Sequence, residues 1–185
     1  MTTRPDRSRA LILDAAQAAF RDGIDNATME QIARAAGLTR KTLYNLFGSK
    51  EVIALALIAR AEAQDDAYRA RMAAGEDALA LAEIVLNDSA GWCLANPGLA
   101  RLALAPARRP SLEPPGDRSS FQGLMRDIMA LGQAQGCIRA DEEAGFICLV
   151  LLGIYGQAML TALETGEMPE VGRILRVVVE GIGGH

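Results

Sequence analysis

The stretch TRKTLYNLFGSKE, which begins at Thr39, concentrates side chains whose chemistry suits nucleic acid. Arginine and lysine donate hydrogen bonds to guanine O6 and N7, and asparagine pairs with N6 and N7 of adenine. Threonine and tyrosine hydroxyls donate to phosphate oxygens. On a wheel of about 100° per residue, Lys41 and Asn45 point away from the apolar side. That apolar side carries Leu43, Leu46 and Phe47. The stretch therefore predicts a short helix with a buried inner face and an outer face that can read DNA.

The same outer face also fits a second interpretation, a solvated helix surface with a tyrosine packed along it. Helix starts predicted at Thr28, Thr39 and Ser49 add phosphate sites, because free N–H groups and the positive dipole end attract anions. Lys50 places a full charge at the third of these starts. Each hydroxyl also suits a plain N-cap, so capping and phosphate binding both remain open for these residues.

The elements that position these side chains read as helix, tight turn, helix over residues 28–46. Thr28 followed by Gln31 is a capping-box pattern for the first of the two helices. Ala33 supplies a small residue at the expected crossing point, and Gly37 supplies the turn. This spacing predicts a helix-turn-helix unit.

The run from Ala10 to Val52, above all TMEQIARAAGLTRKTLYNLFGSKEV, resembles the DNA-binding domain of the tetracycline-repressor (TetR) family of bacterial transcription regulators. The resemblance implies a three-helix N-terminal domain with Thr39 to Leu46 as its recognition helix. It implies phosphate contacts at Thr28, Thr39, Thr42, Tyr44 and Lys50. It implies base contacts at Arg40, Lys41 and Asn45. Many members carry histidine where this chain has Leu46, so a polar contact is missing there and the half-site sequence cannot be carried over.

Composition and charge place this domain at one end of a helical protein. The chain has 185 residues, half of them apolar and only 4% aromatic, which predicts an all-α protein with a substantial core. Residues 1–50 carry eight Lys and Arg against five Asp and Glu, whereas residues 51–185 carry eleven against eighteen. We therefore expect a DNA-binding domain over 1–50 and a helical effector-binding and dimerisation domain over 51–185.

Further helices are expected through the second domain. Their predicted bounds are Lys50–Ala73, Glu76–Ala95, Gly98–Ala105, Ser119–Gly136, Asp141–Thr165 and Glu170–Gly181, with a proline-rich loop over Pro106–Asp117. The family architecture implies that this part dimerises and often binds a small effector. The last two helices are the expected dimer interface, through Leu149, Leu152, Gly153, Gly156, Val171, Ile174, Leu175 and Val178. The alternative is that both apolar stripes face only their own core.

Methionines and aromatic residues of the second domain are candidates for an apolar ligand pocket. The set comprises Tyr68, Met72, Trp92, Phe121, Met125, Met129, Tyr155 and Met159. Each of them also fits an ordinary core position. Basic residues are scarce there, which argues against a strongly anionic effector.

Other function classes find little support in the sequence. The single histidine is the terminal His185, no glycine-rich phosphate loop occurs, and no metal-ligand spacing or cofactor motif is present, so we predict no enzyme. Cys93, Cys137 and Cys148 fit buried residues of a reduced cytoplasm, with a redox-sensing thiol as the alternative. Ala144 to Leu163 is long enough to span a bilayer, but its acidic flanks and internal Gln157 favour a helix buried in a protein core.

We conclude from the sequence that the chain is a cytoplasmic homodimeric repressor with no membrane segment. It would bind a near-palindromic operator in double-stranded DNA and be released by a small, largely apolar effector. One alternative is a dimeric small-molecule-binding protein whose DNA binding is weak or vestigial. Another is a regulator that activates transcription or assembles on DNA in higher order.

Overall fold

A computed structural model describes residues 4–21, 23–105 and 120–181 of the chain. Within these ranges every regular element is helical and no strand occurs, as the all-α prediction requires. The chain divides into two compact units.

The first three helices form the predicted helix-turn-helix domain. They are α1 (Arg4–Ala19), α2 (Met29–Ala35) and α3 (Arg40–Phe47). The capping box at the start of α2 is confirmed, since the Thr28 side chain accepts from Gln31 N and the Gln31 side chain accepts from Thr28 N. Gly37 has a φ of +67°, a conformation that side-chain-bearing residues avoid, and it makes the tight turn between α2 and α3.

The fourth predicted helix, residues 50–73, is interrupted in the structure. It consists of α4 (Lys50–Glu62), a 3₁₀ turn (Ala63–Asp65) and α5 (Asp66–Ala73). A 3₁₀ turn has three residues per turn rather than 3.6, so the side-chain register shifts across it. Asp65, the last residue of this turn, is only 6% exposed.

The remaining helices follow the predicted order with slightly shorter bounds. They are α6 (Ala78–Ala95), α7 (Pro97–Ala103), α8 (Phe121–Gln135), α9 (Ala144–Thr165) and α10 (Val171–Glu180). Local caps set two of these starts: Ala80 N donates to Asp77 Oδ1 over 2.7 Å, and Gly123 N donates to Ser120 Oγ over 3.0 Å. The predicted loop at Pro106–Asp117 lies outside the described residues.

The first unit comprises Met1–Ala61 and Ala95–Ala103, and the second comprises Glu62–Leu94 and Leu104–His185. This division differs from the boundary at residue 50 expected from charge. The first unit gains most of α4, whose Arg60 donates to Asp14 and Gln17 of α1, each over 2.7 Å. It also gains α7, which lies far along the sequence. Burial of apolar side chains, rather than the distribution of charge, determines which segments pack together.

The core of the second unit lies between α8 and α9, with α10 packed on α9. Four side chains of α8 are almost fully buried, namely Leu124, Met125, Ile128 and Met129. Hydrogen bonds tie further helices to this core: Tyr155 of α9 donates to the Leu86 carbonyl of α6 over 3.0 Å, and Arg69 of α5 binds Asp127 of α8 over 2.9 Å.

Two helices, α6 and α9, are long and apolar enough to cross a membrane by length and composition alone. Both carry several side chains buried inside the second unit, including Leu81 and Leu86 of α6 and Leu151 and Tyr155 of α9. An apolar helix that supplies a protein core has the same composition as one that faces lipid.

Candidate nucleic-acid interface

The recognition helix α3 has the two faces that its sequence predicts. Leu43 is fully buried and Phe47 is 6% exposed, whereas Leu46 is half-buried at the edge of the apolar face. Thr39 caps the helix by accepting from Thr42 N over 3.1 Å. The buried residues hold α3 against the first unit and so fix which residues face outward.

Lys41 and Asn45 are exposed on that outer face, one helical turn apart. Neither side chain forms a hydrogen bond or ion pair with any part of the chain that the structure describes. Arg40 is exposed as well, and its guanidinium carbon lies 5.4 Å from the centre of the Tyr44 ring. This cation–π contact favours a position of the arginine beside the tyrosine.

The two threonines of α3 share one hydrogen bond. Thr39 Oγ1 and Thr42 Oγ1 are 2.8 Å apart, so one hydroxyl donates to the other. The accepting hydroxyl keeps its own proton, which remains available for a phosphate oxygen. The geometry supports one outward donor from this pair rather than the two that the resemblance implies.

Thr28 has its hydroxyl fully engaged inside the capping box. Its Oγ1 accepts from Gln31 N over 3.2 Å and lies 3.0 Å from Gln31 Oε1, to which it donates. A phosphate contact from this hydroxyl therefore requires that its proton be withdrawn from Gln31. Capping is the role that the described geometry already fulfils.

Lys50, the other expected phosphate contact, is held by the loop between α1 and α2. Its Nζ lies 3.3 Å from the Asp25 carbonyl oxygen and 3.6 Å from Asp25 Oδ1. The lysine side chain is 25% exposed, while the Asp25 side chain is fully exposed. The loop thus positions Lys50 at the start of α4, a role for Asp25 that sequence reasoning missed because the two residues are 25 positions apart.

Arg9 is a second residue that sequence reasoning missed. Its guanidinium carbon lies 5.3 Å from the centre of the Phe47 ring, at the carboxyl end of α3. The contact joins α1 to the recognition helix by a cation–π interaction. Arg9 and Phe47 lie 38 positions apart in the sequence, so the periodicity of α1 gives no signal for this contact.

The pocket candidates of the second unit fall into two groups. Met125, Met129, Tyr155 and Met159 are buried, whereas Tyr68, Met72, Trp92 and Phe121 are half-buried. The Phe121 and Tyr155 rings lie 6.3 Å apart, so α8 and α9 bring these two together. Tyr68 instead donates to Asp88 of α6 over 2.7 Å.

Burial favours the protonated phenols of Tyr68 and Tyr155 and the protonated thiols of Cys93 and Cys148. It raises the pKa of Tyr68 to about 12, with the Asp88 hydrogen bond adding to the effect, and it also raises the pKa of Tyr155. Burial raises the pKa of Cys93 to about 11 and that of Cys148 to about 12. Thiols in this state are weak nucleophiles. Cys93 and Cys148 are buried as predicted, whereas Cys137 is only half-buried.

The residues expected at a dimer interface are likewise divided. Leu152, Val171 and Leu175 are buried within the second unit, Leu149, Gly156, Ile174 and Val178 are half-buried, and Gly153 is exposed. The large apolar side chains that these two helices leave exposed are Phe146, Val150 and Ile154 of α9 and Val177 of α10. Phe146, Val150 and Ile154 recur every four residues, a signal that was available in the sequence.

The comparison with protein families matches the first unit. A family described as "Bacterial regulatory proteins, tetR family" matches residues 12–57, which contain the second half of α1, all of α2 and α3 and residues 50–57 of α4. No curated protein matches the sequence. The family model identifies the segment that contains the recognition helix.

Solved structures match almost the whole chain. FadR of Bacillus subtilis, a transcriptional regulator in complex with stearoyl-CoA, is 17% identical with a TM-score of 0.71, covering 94% of this chain and 99% of its own. Thermus thermophilus FadR, a TetR-family repressor in complex with lauroyl-CoA, is 21% identical with a TM-score of 0.70 and 96% of both chains covered. A TetR-family regulator of Mesorhizobium loti is 23% identical with a TM-score of 0.66, again with 96% of both covered.

The structural matches establish the fold, and the match over residues 12–57 establishes the class of domain. The expected resemblance is therefore confirmed over residues 12–57. Residues 12–57 of this chain are thus similar to the N-terminal domain of the tetR family of bacterial regulatory proteins.

Proposed function

We propose that the protein is a homodimeric repressor that binds a near-palindromic operator and is released from it by a small effector. The observation that carries the proposal is the outer face of α3. There Lys41 and Asn45 stand exposed with no partner among the described residues, while Leu43 on the opposite face is fully buried. Base-reading side chains need this combination of a fixed backbone and free polar ends.

Dimerisation is supported by the apolar surface that α9 and α10 leave exposed. Phe146 is 44% exposed and Ile154 42%, although a monomeric surface gains nothing from apolar side chains in regular rows. A two-fold dimer presents one recognition helix from each subunit, so the operator is expected to contain two inverted half-sites about one helical turn apart.

The effector is proposed to be largely apolar and without a strong negative charge. The described residues of the second unit carry fifteen carboxylates against six arginines. Five of those arginines are already paired with carboxylates: Arg69, Arg71, Arg126, Arg139 and Arg173. Two structural neighbours bind acyl-CoA, a polyanion, so we expect this chain to differ from them in ligand class. A reduced cytoplasm is the compartment that suits three free cysteines in a DNA-binding protein.

The deciding experiment is a selection of random DNA fragments on the purified wild-type protein, followed by binding measurements with a Lys41→Ala, Asn45→Ala double variant. We expect the wild type to enrich a palindrome. The double variant should lose about 2–6 kcal/mol of preference for that palindrome over unrelated DNA, because each side chain that reads a base is worth about 1–3 kcal/mol.

A matched control replaces an exposed cation and an exposed polar side chain of the second unit, Arg139→Ala with Thr165→Ala. It should bind the palindrome as the wild type does. If the Lys41, Asn45 double variant keeps full sequence preference, α3 is not the reading element. If the wild type enriches no sequence, the protein is not a sequence-specific regulator.

A further inference from the structure

Helix α7 is part of the DNA-binding unit, although it lies about forty residues beyond the segment that carries the helix-turn-helix. Leu99 is 1% exposed and Ala100 is fully buried, so α7 contributes to the core of this unit. Asn96, the residue just before α7, also contacts α1, because Gln17 Nε2 donates to Asn96 Oδ1 over 3.4 Å. None of the residues expected to bind DNA is on α7.

At Gly98 the backbone of α7 comes close to the backbone of another segment of the unit. A Cβ atom built on this glycine would lie 2.9 Å from the Phe20 carbonyl oxygen and 3.1 Å from Gly23 Cα. Both neighbours are backbone atoms, which do not move aside as a flexible side chain does. The backbone of α7 therefore rests directly on the carboxyl end of α1 and on the loop that follows it.

That loop leads to the residues expected to contact phosphate. Gly23 begins it, Ala27 is 4% exposed within it, and Thr28 ends it as the N-cap of α2. Asp25, in its middle, holds Lys50 through its carbonyl oxygen at 3.3 Å. A shift of the loop backbone at Gly23 thus moves the supports of both Thr28 and Lys50.

We propose that Gly98 is a positioning residue for DNA binding. By resting on Phe20 and Gly23, the first turn of α7 sets the backbone of the loop over residues 23–27. The loop in turn sets Lys50 and the start of α2. This proposal rests on the proposed function as a DNA-binding regulator, and it identifies a residue that acts on DNA binding without touching DNA.

The test compares Gly98→Ala with wild type on the palindrome selected by the wild type. We expect roughly tenfold weaker binding, because a methyl group forced against backbone atoms displaces one of the two packed segments. The slope of log Kd against log salt concentration should also fall by about one for each phosphate that the variant no longer binds. Gly91→Ala is the matched control, since a Cβ there meets no atom within 4 Å and its operator affinity should equal that of the wild type.

A double-mutant cycle with Lys50→Ala separates positioning from simple damage. If Gly98 acts through the loop and Lys50, the effect of Gly98→Ala on affinity shrinks when Lys50 is already alanine. Thermal unfolding followed by circular dichroism accompanies each variant. Should Gly98→Ala not fold, Asn96→Ala replaces it, because it removes the 3.4 Å contact with Gln17 without adding an atom at the crossing.

The proposal is overturned if Gly98→Ala binds with the affinity and salt slope of Gly91→Ala. It is equally overturned if affinity falls while the salt slope is unchanged and the cycle with Lys50 is additive, since the glycine would then be only structural. Failure of the proposed function itself would give a different result, because the wild type would then select no DNA sequence at all.

Discussion

Single side chains on the recognition surface differ in whether the protein already uses their polar groups. Lys41 and Asn45 have no partner among the described residues, whereas Thr28 and Lys50 are bound to Gln31 and Asp25. A free group can contact a base without giving up an existing bond. An engaged group must exchange one hydrogen bond for another, so its net contribution to affinity is smaller.

Asp65 is the side chain whose environment departs furthest from what its type prefers. Its Oδ2 is buried without a hydrogen bond, and the nearest cation, Arg69 Nη2, is 3.9 Å away. Burial raises the pKa of this carboxyl above its ordinary value, and the Arg69 charge only partly opposes the shift. A raised native pKa means that the ionised form is less favourable in the folded protein than in the unfolded chain, so stability is lost as pH rises through that pKa.

Replacement of this carboxyl should therefore stabilise the protein in a pH-dependent way. We expect Asp65→Asn to raise the free energy of unfolding relative to wild type at neutral pH, with the gain shrinking as pH falls through the raised native pKa of Asp65 and its carboxyl takes up a proton. Urea unfolding of both proteins across this range measures the effect. Asp66→Asn removes the same charge from an exposed neighbouring site. An equal gain from that control, or a gain independent of pH, would contradict the assignment.

At the scale of whole helices, α9 and α10 leave apolar side chains exposed to solvent. Leu151, Leu152 and Tyr155 of α9 serve the core of the second unit, yet Phe146, Val150 and Ile154 of the same helix remain exposed. A helix that is apolar on both sides fits burial against its own core and against a second copy. Because Leu152, Val171 and Leu175 have almost no surface left, the exposed rows are the better candidates for the contact between subunits.

A charge placed on the exposed row of Phe146, Val150 and Ile154 should separate the subunits. We expect Ile154→Asp to weaken dimerisation by at least roughly tenfold, because two-fold symmetry buries the unpaired carboxylate twice. Operator affinity should fall with it, since each monomer reaches one half-site. Sedimentation equilibrium gives the dimer Kd. Met168→Asp, at a residue 49% exposed between α9 and α10, should leave the dimer unchanged. If both variants remain dimeric, the interface lies on another surface.

Across the whole molecule, the two units carry opposite charge. The described residues of the first unit include ten lysines and arginines against five carboxylates, the reverse of the excess in the second unit. Positive charge on the unit that carries α3 attracts DNA, whereas the carboxylates of the second unit repel polyanions. The excess of carboxylates in the second unit also disfavours a strongly anionic effector.

The charge of the second unit predicts which ligand will fail to bind. We expect lauroyl-CoA, the ligand of the Thermus thermophilus neighbour, to leave the thermal unfolding midpoint of this protein unchanged. A ligand present at about 100 times its Kd would stabilise the native state by about 2.7 kcal/mol and raise the midpoint by several degrees. Differential scanning calorimetry with and without lauroyl-CoA measures this. A raised midpoint that coenzyme A alone does not produce would contradict the proposed effector class.

The helix-turn-helix and the two faces of α3 follow from the sequence alone. The capping box of Thr28 and Gln31, the turn at Gly37 and the inward Leu43 each depend on residues a few positions apart. Such hydrogen bonds and helical periodicity are local, so the pattern of residues determines them before any distant segment packs.

Only the tertiary structure decides the features that join distant segments. Lys50 meets Asp25 across 25 positions, and Asn96 meets Gln17 across 79, so neither pairing has a periodic signal. The 3₁₀ turn before Asp66 and the inclusion of α7 in the first unit likewise have no periodic signal in the sequence. Their positions depend on which apolar surfaces bury one another best, and a one-dimensional pattern shows that a surface is apolar without showing what will cover it.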